Sequence, residues 1–93
     1  MEIRLYLIDA ALFTSRETAH DVMQNAFWDR EYVGRNLDAL YDVLTSIRRD
    51  AEIRIYGMAA ARRQIGEYAD RILAVYYAAA TQNPHLRVLV QER

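Results

Sequence analysis

The sequence predicts an α/β fold, a three-stranded parallel sheet with helices packed mainly on one face. Three observations carry the prediction. Apolar residues alternate with polar or aromatic ones in three short stretches, around Ile3, Leu5 and Leu7, around Ile53 and Ile55, and around Leu86, Val88 and Val90. Two helical patterns separate each stretch from the next, and crossovers of that length join parallel neighbours with the usual right hand. Each stretch also carries one arginine between aliphatics: Ile3-Arg4-Leu5, Ile53-Arg54-Ile55 and Leu86-Arg87-Val88. Sheets covered on both faces have strands that read as continuous apolar runs, and these do not. One face is therefore expected to be partly wet, with Arg4, Arg54 and Arg87 projecting from it at a common phase.

The elements follow in order. After the first strand, Thr14 stands three residues before Glu17, a capping-box spacing, and a helix is expected from there to about Phe27. Trp28 to Arg35 shows no period and reads as a loop. Asn36 is a good N-cap for a second helix, whose Leu37, Leu40, Leu44 and Ile47 share one face. The second strand ends at Gly57. A short alanine-rich helix follows, roughly Met58 to Arg63, and a longer one starts after Gly66 with Ala69, Ile72, Leu73, Tyr76 and Ala80 as its apolar stripe. Asn83-Pro84 stops it ahead of the last strand.

Ninety-three residues make a single domain, 1–93, and an apolar fraction of 53% is ample for one core. No cysteine is present, so neither a disulfide nor a thiolate is available. Glu2 and Arg4 interrupt the start too early for a secretory signal, and no apolar run approaches the roughly 20 residues that span a bilayer. A cytoplasmic protein without membrane contact is the expectation. A net charge of −1 argues against direct nucleic-acid binding, which needs a concentrated basic field. His20 and His85 are far apart and have no cysteine to join them, so no metal site and no cofactor are expected. There is no glycine-rich phosphate loop and no Ser/His/Asp arrangement, so no catalytic residue is assigned and the chain does not read as an enzyme. Tyr68, Tyr76 and Tyr77 lie on the long helix, where core or groove packing is expected rather than base stacking.

The informative stretch is Tyr32-Val33-Gly34-Arg35-Asn36-Leu37-Asp38-Ala39-Leu40-Tyr41-Asp42-Val43-Leu44. Asp38 and Asp42 are one helical turn apart and share a face. At about 100° per residue, that face lies almost opposite the leucine stripe. Burying the leucines therefore points both carboxylates into water. Two exposed like charges one turn apart repel each other, and only Asp38 gains from the helix dipole. Tyr41 flanks the pair, and Trp28 and Tyr32 lie in the loop leading in. Aromatic side chains around a small acidic centre suit a basic partner.

The pattern Tyr32-x-Gly34-x-Asn36-Leu37-Asp38-Ala39-Leu40-x-Asp42-x-Leu44 resembles the signature of the barstar family, intracellular inhibitors of bacterial ribonucleases. The likeness extends more weakly over nearly the whole chain, and the family fold is the barstar-like α/β fold read above. What the resemblance implies is a protein partner, a ribonuclease, whose active site is plugged by this helix and its preceding loop. The acids would stand where substrate phosphates lie, with Asp42 the dominant carboxylate and Asp38 its companion. The implied contact set is Tyr32, Val33, Gly34, Asn36, Leu37, Asp38, Tyr41, Asp42 and Thr45, with Gly34 allowing close backbone approach. Val33, Arg35 and Ala78 depart from the family pattern, which replaces an aromatic and two acids and leaves the target's identity open. The other reading left open is an interaction or immunity module for a non-nuclease toxin or another partner. The free protein is expected to be monomeric.

Overall fold

The computed structural model describes residues 2–32 and 34–91. The chain runs through β1 (Arg4–Asp9), a 3-10 turn (Ala10–Leu12), α1 (Arg16–Ala26), α2 (Leu37–Thr45), β2 (Ala51–Tyr56), α3 (Met58–Ile65), α4 (Glu67–Gln82) and β3 (Leu86–Gln91). The strands form one parallel sheet in the order β1-β2-β3. Both crossovers step the same way along the sheet, so crossovers of one hand place their helices on one face. Burial agrees. Tyr6 and Ile8 of β1 and Ile53 and Ile55 of β2 are buried in the core, whereas their alternate neighbours Leu5, Leu7 and Asp9 are exposed.

The phase of β1 is the reverse of what the sequence suggests. Residues paired across a parallel ladder point to the same face, and Tyr6 pairs with Ile53 while Leu7 pairs with Arg54. Ile3, Leu5 and Leu7 therefore lie on the open face, and Arg4 goes with the covered one. Arg54 and Arg87 share the open face as expected, where both pair with Glu52. Arg4 does not join them. It reaches the rim of the core, pairs with Asp29 and lies over the Trp28 ring, 5.6 Å from its centroid. The cause is that both phases of β1 are apolar. The helix layer takes the aromatic Tyr6, which packs edge-on against Phe27 at 5.3 Å between ring centroids.

Helix boundaries follow local chemistry. The cap of α1 is Ser15 rather than Thr14: the Ser15 hydroxyl accepts from the Thr18 N–H and the Thr18 hydroxyl accepts from the Ser15 N–H. Asn36 caps α2 as expected, its Oδ1 accepting from the Ala39 N–H at 2.8 Å. Gly57 leaves β2 in a left-handed conformation, with φ at 75°. A Cβ there would sit 2.8 Å from the Ala11 backbone nitrogen, so glycine is required by space as well as by φ. Asn83 ends α4 and is itself buried. Among the described residues no helix is long and apolar enough to cross a membrane.

Candidate functional site

The site starts from the two faces of α2. Leu40, Val43 and Leu44 are buried and Leu37 is half-buried, and Ile47, just past the helix end, is buried as well. Asp38 and Asp42 are exposed on the other side, as the spacing predicts. No ion pair to either carboxylate is formed among the described residues. Tyr41 is half-buried beside them. Thr45 turns its hydroxyl back into the helix, donating to the Tyr41 carbonyl at 2.9 Å. Among the described residues the acidic face is therefore unpaired, and it is exposed on a capped helix.

The loop that precedes α2 is tied down at several of its described residues. Asp29 accepts from the Tyr6 hydroxyl at 2.7 Å and pairs with Arg4, which fixes the loop's start to β1. The Trp28 indole N–H donates to the Leu5 carbonyl at 3.4 Å. Gln24, from α1, accepts from the Tyr32 backbone N–H at 3.0 Å. Arg30 donates to the Ser46 hydroxyl at 3.1 Å and so joins the loop to the far end of α2. Asn36 donates from its side chain to the Gly34 carbonyl at 3.0 Å. Gly34 has φ at 102°, and Arg35 follows in a left-handed conformation with φ at 49°. Arg35 pairs with Asp21 of α1. The two loop cations are thus engaged by Asp29, Ser46 and Asp21.

Tyr32 is placed differently from the expectation of a partner contact. Its ring is 2% exposed and belongs to the core, because its hydroxyl has a buried partner in His20. The hydrogen bonds have a single consistent direction. The Tyr32 O–H donates to the Asn36 carbonyl at 3.3 Å, so the His20 Nδ1–H donates to the Tyr32 oxygen. His20 Nε2 then accepts from the Tyr68 O–H at 2.6 Å. A neutral imidazole links α4, α1, the loop and the N-cap of α2. Val33 lies outside the described residues. The structure thus brings Gly34, Asn36, Leu37, Asp38, Tyr41, Asp42 and Thr45 onto one continuous segment and withdraws the Tyr32 ring from its surface. His20, Gln24 and Asp29 are missed by sequence reasoning as supports of that segment. The one signal was two polar residues, His20 and Gln24, spaced one turn apart on the inward side of α1 with Ala19 and Met23.

His20 also makes the fold pH-sensitive. Burial, and then the nearby Arg35, push its imidazole below the ordinary value of 6.5. The unfolded chain then binds a proton that the native state does not, so stability must fall as pH drops through the ordinary value toward the lowered one. Urea midpoints at about pH 7.5 and about pH 5.5 should show wild type losing stability over a range above most carboxylate titration. His20→Gln should lose less across that interval, whatever its starting stability. Parallel losses in the two proteins would assign the effect to other groups.

The fold and the site together define a small α/β protein with helices layered on one face of a parallel sheet and an acidic helix presented beside a fixed loop. The chain belongs to the barstar family: the family model described as Barstar (barnase inhibitor) matches residues 3–91. It is also similar to the protein named "Putative ribonuclease inhibitor YrdF" of Bacillus subtilis (strain 168), with 32% identity over 74 residues, covering 78% of this chain and 81% of that protein.

Proposed function

We propose that this protein is a ribonuclease inhibitor, not an enzyme, and that α2 with its preceding loop plugs the nuclease active site. Asp38 and Asp42 stand in for substrate phosphates, and arginine, lysine or histidine side chains of the nuclease receive them. The observation that carries this reading is the pair of exposed carboxylates, one turn apart and without an internal counter-ion among the described residues. A fold gains little from such a pair, whereas a basic cleft gains charge-assisted hydrogen bonds from it. The fixed loop lowers the ordering cost of binding. Family membership and the name of the Bacillus subtilis relative support the same reading. On this proposal the protein acts in the cytoplasm, as an antitoxin or immunity protein would. Val33, Gly34, Asn36, Leu37, Tyr41 and Thr45 complete the contact segment.

The test is inhibition of RNA cleavage. The purified protein is titrated against barnase and against any small basic ribonuclease encoded beside it, with complex formation followed by gel filtration. A stoichiometric loss of cleavage with a co-eluting complex is expected. A complex that leaves cleavage intact would favour the immunity-module reading, and the absence of both would remove the inhibitor assignment.

A further inference from the structure

The two edges of the sheet are not alike. The ladder bond from the Ala51 N–H to the His85 carbonyl, with Ala51 facing Leu86, fixes which backbone groups of β3 serve the sheet. By strand alternation Arg87 and Leu89 turn their N–H and C=O groups toward β2, and Val88 and Val90 turn theirs outward. Among the described residues nothing hydrogen-bonds to those outward groups. The same alternation on β1, set by the Arg4 N–H bonding to the Asp50 carbonyl, turns the Leu5 and Leu7 groups outward. There the Trp28 side chain lies across the edge and takes the Leu5 carbonyl. The β1 edge is blunted and the β3 edge is open. β3 is six residues, LRVLVQ, without proline or glycine, which is the kind of edge that templates pairing with another strand.

We infer that β3 pairs with β3 of a second copy of this chain, antiparallel about a two-fold axis through Leu89, to give a continuous six-stranded sheet. The chemistry of the edge selects this occupant. In that register Val88 and Val90 of the second copy exchange both backbone hydrogen bonds, and the symmetric pair does the same. Arg87 meets Gln91 rather than another arginine, so no like charges are opposed. Leu89, 38% exposed on the open face, meets its own counterpart in the close, non-hydrogen-bonded position. The cross-sheet row Leu7–Arg54–Leu89 then runs on into its symmetry mate. The alternative, β3 on β1 of the next copy, would be head-to-tail and open-ended, and Trp28 obstructs it. Two-fold pairing closes after two copies.

Edge pairing buries little surface, less than about 1,200 Å², so the dimer is weak and depends on concentration. The inference does not rest on the ribonuclease reading. Its test is sedimentation of the full chain from about 1 µM to about 1 mM, bracketing a weak dimer. Wild type should pass from monomer to dimer across this range. Leu89→Lys should raise the midpoint about tenfold or more by placing two cations at the axis. Mixing Leu89→Lys with Leu89→Glu should restore association. Val88→Pro should also weaken it, since proline removes an outward N–H that the dimer needs, leaves the ladder to β2 intact and is tolerated on an edge, although Val88 is half-buried against the helices. Circular dichroism confirms that each variant is folded, and Leu89 is exposed enough to be replaced without loss of core. A wild type that stays monomeric throughout, or a dimer indifferent to the Leu89 variants, overturns the proposal.

Discussion

Asp42→Ala should weaken binding of the cognate nuclease more than any other single alanine substitution, with Asp38→Ala second. Truncating one partner of a desolvated charge pair costs about 2–5 kcal/mol, much of it the penalty of leaving the basic groups buried and unpaired. The same change should alter folding stability by less than about 0.5 kcal/mol, as at other surface positions without structural partners. The structure makes this separation sharp: Asp42 is exposed, its backbone carbonyl accepts from the Ser46 N–H and the Thr45 hydroxyl, and among the described residues its carboxylate takes no hydrogen bond. Titration of wild type and variant against the nuclease, with thermal melts alongside, reads both quantities. Equal affinities would remove Asp42 from the mechanism, and a large drop in melting temperature would make it structural. Added salt should slow association only modestly, because a net charge of −1 gives weak long-range steering.

The expected result at Asp42 rests on features legible in the sequence. Asn36, the leucine spacing and the two aspartates fix one another's phase within a single helix, and nothing distant is needed to say which side faces water. The same holds for the order of elements and for the stop at Asn83-Pro84. β1 shows where such reading ends. Leu5 and Leu7 are apolar at one phase and Tyr6 and Ile8 at the other, so the choice of inner face belongs to the helices that pack on it. Arg4 followed that choice to the covered side and became a support for the loop through Asp29. His20 was equally opaque. Its role depends on Tyr32 and Tyr68, which lie 12 and 48 residues away along the chain. Tyr32 itself was legible as part of the motif but not as a core side chain, because its burial depends on His20 being there to take its hydroxyl.

The most consequential of these long-range contacts is Asn83, for which the sequence suggested only a stop signal. Its side-chain amide donates to the Leu44 carbonyl at 3.0 Å and to the Ile47 carbonyl at 2.9 Å, while its Oδ1 accepts from the His85 N–H at 3.1 Å. The last carbonyls of a helix lack intrahelical donors, and here a residue at the end of α4 supplies two of them to the end of α2 and the residues just beyond it. The side chain is 4% exposed, so water cannot readily replace it. Asn83→Ala leaves buried carbonyls short of donors and should cost about 2–4 kcal/mol of stability. For a chain of this length each kcal/mol lowers the melting temperature by about 4–8 °C. Asn83→Asp should be worse at neutral pH, because the introduced carboxylate offers no donor and faces two carbonyl oxygens. It should recover in part on acidification: the native state then holds a proton that the unfolded chain gives up, so stability rises as pH falls. Urea unfolding of the three proteins at about pH 7 and about pH 5 measures this, since unfolded aspartate titrates below that window. If Asn83→Ala costs less than about 0.5 kcal/mol, the amide is not what holds the two helix ends together. If Asn83→Asp does not gain on Asn83→Ala at the lower pH, its missing proton is not the cause of its loss. The acidic face of α2 is aimed by this buried clamp at one end and by the His20–Tyr32–Asn36 chain at the other. Weakening either end should therefore reduce nuclease affinity even though neither side chain is on the exposed face.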